Sequence, residues 1–447
     1  MLQIVYSTQE FKNQITNILS KLKNKNIKIQ YIKFSEKFER ITEILDDASG
    51  VIIEFNPNKI RKTIMLYLAA RFIGIPILLV TNIEPKNTTG KLLIRTLKNT
   101  TILNINKETN THNIKRNIQE LFKKANTFEM PAKILNATNN YITINAKIDN
   151  TKYKVKIYYL RTKNLNKPPL FFIHGITARS AAYLTTLNVL KKYFNIIAID
   201  LPYHGRSGII TPNPPDYDTF AQIIVHTIKD IYKKEKLEKY NTFYLMGHSL
   251  GGSLSFFAAQ QLKKYNINIT HLYLLNPAGG PIKESQAKLF YTTTIKKILN
   301  IKKYYVLRNN FKRILTEILI NYLRAFEKRT TKQNFFMLIK QIPYGFKNFK
   351  NMHYNGSTSL IFSDQDQYFS SNYIIDYCQK FDCLNFKIAK GLHDWLIVEP
   401  MQVEKLLKNT LPTNASIAGI NIKPATTITK AIQFIKNILA SNKIQKK

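Results

Sequence analysis

The chain has 447 residues, which at ~100–200 residues per domain leaves room for two or three folded units and excludes a single small module. Hydrophobic residues make up 44% and aromatics 12%, enough apolar surface to offset chain entropy, so global disorder is excluded. Lys and Arg number 67 against 28 acidic residues, a net charge of +39 that draws a chain toward phosphate-bearing surfaces at low salt. However, 55 of those cations are Lys and only 12 are Arg, whereas nucleic-acid readers lean on the bidentate guanidinium. Most of the excess is read as compositional drift, an anionic partner being the other reading, and no specific nucleic-acid partner is expected.

Residues 1–125 alternate short apolar runs with amphipathic segments: LQIVY then Phe11 to Leu22, IKIQYI then Phe34 to Leu45, GVIIEF then Lys59 to Phe72, IPILLV then Lys91 to Lys98, and TILNI then Asn113 to Lys123. This pattern predicts a three-layer α/β domain with a parallel sheet covered on both faces. It resembles flavodoxin-like and other Rossmann-like modules. The first loop, Ser7-Thr8-Gln9-Glu10, has no glycine, and neither GxGxxG nor GxxxxGK occurs in the domain, so nucleotide binding is unsupported. A structural or regulatory role and a ligand site both stay open. The apolar stretch Ile64 to Val80 is interrupted by Arg71, Gly74 and Pro76 and falls short of the ~20 residues of a spanning helix. The N-terminal MLQIVYSTQEF carries no secretory pattern, which makes a cytoplasmic location the expectation. Two cysteines, Cys378 and Cys383, are too few for a disulfide framework and lack the companions of a zinc site.

Residues 126–140, with Pro131 and the run Asn136 to Asn140, read as a linker and turn. Beyond them YITINAKI and YKVKIYYL flank Asp149-Asn150-Thr151, the pattern of an antiparallel pair at a sheet edge. Short buried runs follow, PLFFI, NIIAI, TFYLM, HLYLL, SLIFS and NFKIA, separated by helical stretches at Ala178 to Tyr193, Phe220 to Tyr232 and Leu250 to Tyr265. Residues 285–351 hold no strand-like run and carry 15 Lys and Arg against Glu317 and Glu327. They are expected to form an inserted helical cap whose apolar faces rest on the core or touch an anionic membrane surface. Residues 412–447 end in a basic amphipathic helix, expected to pack on the body.

The chemistry is concentrated in a few loops. FYLMGHSLGGSLSFF places Gly247-His248-Ser249-Leu250-Gly251 between a buried strand and a helix, the context in which G-x-S-x-G lifts a serine hydroxyl above a sheet. Ser249 is therefore the candidate nucleophile. A serine needs a base, and the base needs an acid to fix its tautomer. In this arrangement both follow the serine in the chain. Of His271, His353 and His393, only His393 sits in a loop after the last strand and before a terminal helix. Asp366 and Asp364 both follow the strand SLIF, and Asp366, two residues deeper into the loop, is favoured. The oxyanion that forms on attack needs backbone donors, assigned to Leu250 and, after the Gly175 turn, to Ile176. His174 is read as a hydrogen bonder that shapes this loop.

HGIT, DLPYHGRS, GHSLGG, the SDQD strand end and GLHDWLIVEP occur in the order and spacing of the α/β-hydrolase superfamily, which residues 131–411 resemble. The resemblance implies a mostly parallel eight-stranded sheet, a triad of Ser249, Asp366 and His393, and neither metal nor organic cofactor. Tyr203 stands where the family's DLPGHG form has glycine, and Ser363 where a glycine often precedes the acid. The expected activity is hydrolysis of carboxylic esters, with a small-molecule or lipid-like substrate and peripheral contact with an anionic membrane. Amide, thioester and carbon–carbon bond hydrolysis, acyl transfer, and a catalytically silent binding protein are the alternatives.

Overall fold

The computed structural model describes residues 2–6, 9–20, 29–33, 50–54, 77–81, 102–104, 116–121, 135–176, 178–214, 216–281, 340–341, 345–366 and 368–412. The helices expected at 34–45, 59–72 and 91–98, most of the cap segment 285–351, and the tail from 413 onward lie outside the described residues. The chain divides into two compact units between residues 134 and 135.

In the first unit, β1 (Leu2–Tyr6), β2 (Ile29–Lys33), β3 (Gly50–Glu54), β4 (Ile77–Thr81) and β5 (Ile102–Asn104) form a sheet of order β2-β1-β3-β4-β5. Its pairs are all parallel. Successive residues of a strand point to opposite faces, and every residue of β3 is buried, so both faces of this sheet are covered. One cover is α1 (Gln9–Ser20), which turns Phe11, Ile15 and Leu19, spaced one helical turn apart, onto Ile4, Ile52 and Val80.

The second unit is built on an eight-stranded sheet. It opens with the hairpin β6 (Ala137–Ile148) and β7 (Thr151–Thr162), paired antiparallel from Ala137↔Thr162 to Ile148↔Thr151. Its two-residue turn has Asp149 at φ 45° and Asn150 at φ 66°, the left-handed pair that matches strand twist and that these short polar side chains tolerate. The hairpin runs further than expected. Asn136 to Asn140 reads as linker in sequence, yet the strand begins at Ala137, because β7 offers a partner along its whole length and Tyr158 Oη donates to Asn139 at 2.7 Å. Pairing here overrides the weak strand propensity of asparagine.

The remaining strands are β8 (Pro169–Ile173), β9 (Asn195–Ile199), β10 (Tyr244–His248), β11 (His271–Leu275), β12 (Thr358–Ser363) and β13 (Leu384–Ala389). The sheet order is β13-β12-β11-β10-β8-β9-β7-β6. From β13 to β9 all pairs are parallel, and β7 joins β9 antiparallel. Between the strands lie α2 (Leu184–Leu190), α3 (Tyr217–Lys234), α4 (Leu250–Leu262) and α5 (Ser371–Cys378), and after β13 come α6 (Trp395–Val398) and α7 (Met401–Leu407). The stretch predicted as a helix from Ala178 begins instead as a 3-10 turn at Ser180–Tyr183, and α3 starts at Tyr217 because Asp216 caps it, accepting from the Thr219 amide at 2.9 Å. Among the described residues no helix is long and apolar enough to cross a membrane.

Strands β10, β8 and β11 are buried throughout, so a polar side chain among them must find its partners inside. His271, which opens β11, lies between the hydroxyls of Ser357 and Ser359 at 2.7 and 2.8 Å. Burial pushes its pKa down to about 3. The imidazole therefore stays neutral in the folded chain, while the unfolded chain takes up its proton below the ordinary histidine value. Its contribution to stability is complete above pH ~6.5 and is lost as pH falls toward the folded value. Between pH 7 and 5 the wild type should lose about 2 kcal/mol more than His271→Gln. Urea unfolding followed by the fluorescence of Trp395, the only tryptophan, measures this, and equal losses would contradict it.

Candidate active site

At the carboxyl end of β10 the chain reverses through Ser249, at φ 54° and ψ −118°, a conformation that costs a non-glycine residue ~1–3 kcal/mol and persists only when its surroundings hold it. They do so by hydrogen bonds on both sides: the Ser249 amide donates to Leu275 O at 2.9 Å, and its carbonyl accepts from Gly252, Ser253 and Ala278. Glycines make the reversal tight. A Cβ at Gly247 would run into the carbonyl of Gly251, and one at Gly251 into that of Ile173, so strand and helix could not meet this closely with side chains at either position.

The acid loop follows β12. Asp366 is buried, and its Oδ2 accepts from His393 Nδ1 at 2.8 Å. The same oxygen accepts from Asn276 Nδ2, and Oδ1 accepts from the amides of Tyr368 at 2.8 Å and Phe369 at 3.3 Å. All four partners donate, which suits a carboxylate with only lone pairs to offer. Tyr368 and Phe369 also set their rings against the imidazole, with centroids 4.7 and 5.4 Å away. Asp364 does something else. It accepts from the Gly391 amide at 2.8 Å while Gln365 donates to Gly391 O at 3.1 Å, tying the acid loop to the histidine loop.

One residue that sequence reasoning passed over, Asn276, completes this cluster. Asn276 follows β11 with φ 45°. Its amide nitrogen bonds Asp366 and, at 2.9 Å, Ser363 Oγ, while its oxygen accepts from Trp395 Nε1 at 2.7 Å. The serine that replaces a family glycine thus anchors Asn276. Only its position directly after a buried strand, in LLNPAG, marked Asn276 out in the sequence.

The oxyanion loop follows β8. The Leu201 amide donates to His174 Nε2 at 2.9 Å, so the proton of the neutral ring lies on Nδ1, which donates to Gly175 O at 2.7 Å. Burial holds the pKa of His174 down, at about 4, which keeps this tautomer neutral. The 175–176 peptide is trans, so the Ile176 N–H points opposite to the Gly175 carbonyl that His174 holds. Among the described residues neither the Ile176 nor the Leu250 amide donates a hydrogen bond, and the Ser249 hydroxyl makes none. The structure thus joins Asp366 to His393 and draws no bond from Ser249 to His393. The side chain beside Ser249 does reach the histidine loop, since His248 Nε2 lies 3.0 Å from His393 O.

Beside the site, Asp200 folds the DLPYHGRS loop on itself. It accepts from the Ser180 amide at 2.8 Å, from the Ser180 hydroxyl and from the Arg206 amide at 2.9 Å. Tyr203 sits at φ 67°, the left-handed region that explains why the family favours glycine there. Among the described residues no group of three or more His, Cys, Asp or Glu side chains is gathered as metal ligands would be.

Residues 168–298 match the family model described as the alpha/beta hydrolase fold. An uncharacterized hydrolase, YugF, of Bacillus subtilis (strain 168) is 25% identical over 141 residues, 32% of this chain and 48% of the relative. The monoacylglycerol lipase abhd6-A of Xenopus laevis is 29% identical over 145 residues, 32% of this chain and 38% of the relative. The chain thus spans about half or less of the curated relatives it matches. Among solved structures, the naproxen esterase of Bacillus subtilis aligns with a TM-score of 0.48 at 14% identity, covering 62% of this chain and 93% of that one. A bacterial membrane phospholipase A aligns with a TM-score of 0.45 at 15% identity, covering 72% and 97%. The family match falls on the stretch that holds the Ser249 elbow, and with the strand order described above it gives the second unit the α/β-hydrolase fold.

Proposed function

We propose that this chain is a serine hydrolase that cleaves carboxylic esters of lipid-like character through an acyl-enzyme. The observation that carries the reading is the buried Asp366–His393 hydrogen bond beside the strained elbow at Ser249. His393 Nε2 takes the proton of Ser249 Oγ as the oxygen attacks the ester carbonyl, while Asp366 fixes the Nδ1–H tautomer and stabilises the imidazolium. The bond from Ser249 to His393 closes as substrate binds, catalytic hydrogen bonds commonly being loose until then. The amides of Leu250 and Ile176 receive the oxyanion. His393 then protonates the leaving alcohol, and water repeats the sequence on the acyl-enzyme.

The lipid-like character rests on two supports. Residues 285–351 interleave Tyr, Phe, Leu and Ile with 15 cations, a composition suited to a lid over an acyl chain and to peripheral contact with anionic membrane. Relatives named monoacylglycerol lipases are 29% and 25% identical to this chain over 145 and 148 residues. Residues 1–125 form a separate α/β domain in this reading, 131–411 carry the chemistry with 285–351 as cap, and 412–447 form a basic tail.

A fluorophosphonate should label the wild type and leave Ser249→Ala unlabelled, with ester turnover down at least ~10⁴-fold; an unlabelled wild type would favour a silent binding protein. Asp366→Asn should cost ~10⁴-fold in kcat by upsetting the histidine tautomer, whereas Asp364→Asn keeps an acceptor for Gly391 and should cost less than ~10-fold. Equal losses would reverse the assignment of the acid. On p-nitrophenyl and glycerol esters kcat/KM should rise at least ~10-fold from acetyl to longer acyl chains, and a maximum at acetyl would exclude lipid-like substrates.

A further inference from the structure

A line of buried hydrogen bonds crosses the site behind Ser249. The Gly175 amide donates to Tyr183 Oη at 3.2 Å, Tyr183 Oη lies 2.8 Å from His248 Nδ1, and His248 Nε2 lies 3.0 Å from the carbonyl of His393. Tyr183 and His248 are each 1% exposed. A backbone amide only donates and a carbonyl only accepts. His248 must therefore donate from Nε2, and in a ring with a single proton Nδ1 then accepts the hydrogen of the tyrosine hydroxyl. Burial, with the Asp394 carboxylate nearby, pushes the Tyr183 pKa up, so the hydroxyl keeps the hydrogen it donates.

The two ends of this line reach the two loops that the proposed mechanism uses. Gly175 precedes Ile176, the proposed oxyanion donor, and His393 carries the imidazole. A Cβ at Gly175 would meet His248 Nδ1 and Ser249 Cβ at 3.1 Å and Tyr183 Oη at 3.3 Å, so the line runs directly against the nucleophile. His248 also packs its ring 5.1 Å from that of His393 and 5.6 Å from that of Tyr183.

We propose that Tyr183 and His248 are positioning residues that lock the oxyanion loop to the backbone of His393, so that the oxyanion donor and the general base are set as one unit. This rests on the reading in which Ser249 and His393 do the chemistry. Because the lock aligns groups that matter most in the transition state, its loss falls on kcat and spares KM.

Three measurements on the full chain test it. In Tyr183→Phe, which deletes one oxygen, kcat on a p-nitrophenyl ester should fall ~10–100-fold with KM within about twofold. His248→Phe should fall similarly, His248→Gln, which keeps a side-chain N–H donor, should recover part of the loss, and the double variant Tyr183→Phe/His248→Phe should be no slower than the worse single variant, since both interrupt one line. Losses that multiply, or that appear in KM alone, would overturn the proposal. The histidine ¹⁵N spectrum of the wild type should give the Nε2–H tautomer at His248, and the Nδ1–H tautomer would overturn it without reference to how any variant folds. If the wild type takes fluorophosphonate at Ser249 and the variants turn over like it, the lock fails and the hydrolase reading stands; a wild type that does not react removes the reading itself.

Discussion

The carboxylate of Asp366 is the group around which the rest of this site is arranged. Removing a carboxylate from water costs several kcal/mol unless its lone pairs are met by donors. Here four donors meet them, from three places in the chain: the imidazole of His393, the side chain of Asn276 and the adjacent amides of Tyr368 and Phe369. Each donor is fixed in turn. Asn276 is held by Ser363 and by the indole of Trp395, and the loop that carries His393 is pinned to the acid loop through Asp364 and Gly391. The imidazole orientation is thus a property of the core, set before any substrate arrives.

The same logic governs the serine. Its strained backbone is affordable because the neighbouring parallel strand β11 delivers an acceptor at the same level: Leu275 O takes the Ser249 amide, and the next residue's amide, Asn276, reaches Ile361 O of β12 at 2.7 Å. Asn276 therefore belongs to two systems at once, its backbone to the sheet beside the elbow and its side chain to the acid. Strain at Ser249 and burial of the Asp366 carboxylate are linked through one residue at the end of β11.

How much of this was legible in the sequence follows from how local each feature is. Strands with unbroken apolar runs, such as NIIAI and HLYLL, and the G-x-S-x-G turn are written in adjacent residues, and the structure has strands and a sharp turn where they were read. The choice between Asp364 and Asp366 rested on loop depth and on the Gln367-Tyr368-Phe369 that follows Asp366, and in the structure it is Asp366 that bonds His393, with Asp364 turned to Gly391. Asn276, Tyr183 and the bonded role of His248 were not legible, because each acts across sequence separations that only the folded sheet brings together; Tyr183 meets His248 65 residues on and His248 meets His393 145 residues on. The start of the hairpin at Ala137 was hidden for the same reason: asparagines read as turn formers until a partner strand supplies their ladder.

Tyr203 shows how a departure from a family pattern can be absorbed. At φ 67° a side chain costs ~1–2 kcal/mol relative to glycine. Its ring is buried and stacked on Phe220 with an interplanar angle of 17°, and its hydroxyl donates to Asn213 at 3.0 Å. Burying a large aromatic side chain supplies ~1.5–3 kcal/mol, enough to offset the backbone cost. The loop around it is closed by Asp200, whose carboxylate occupies the space that a Cβ on Gly205 would need. Glycine stands where a carboxylate must pass and a tyrosine where a ring can be packed, and both choices keep this loop closed.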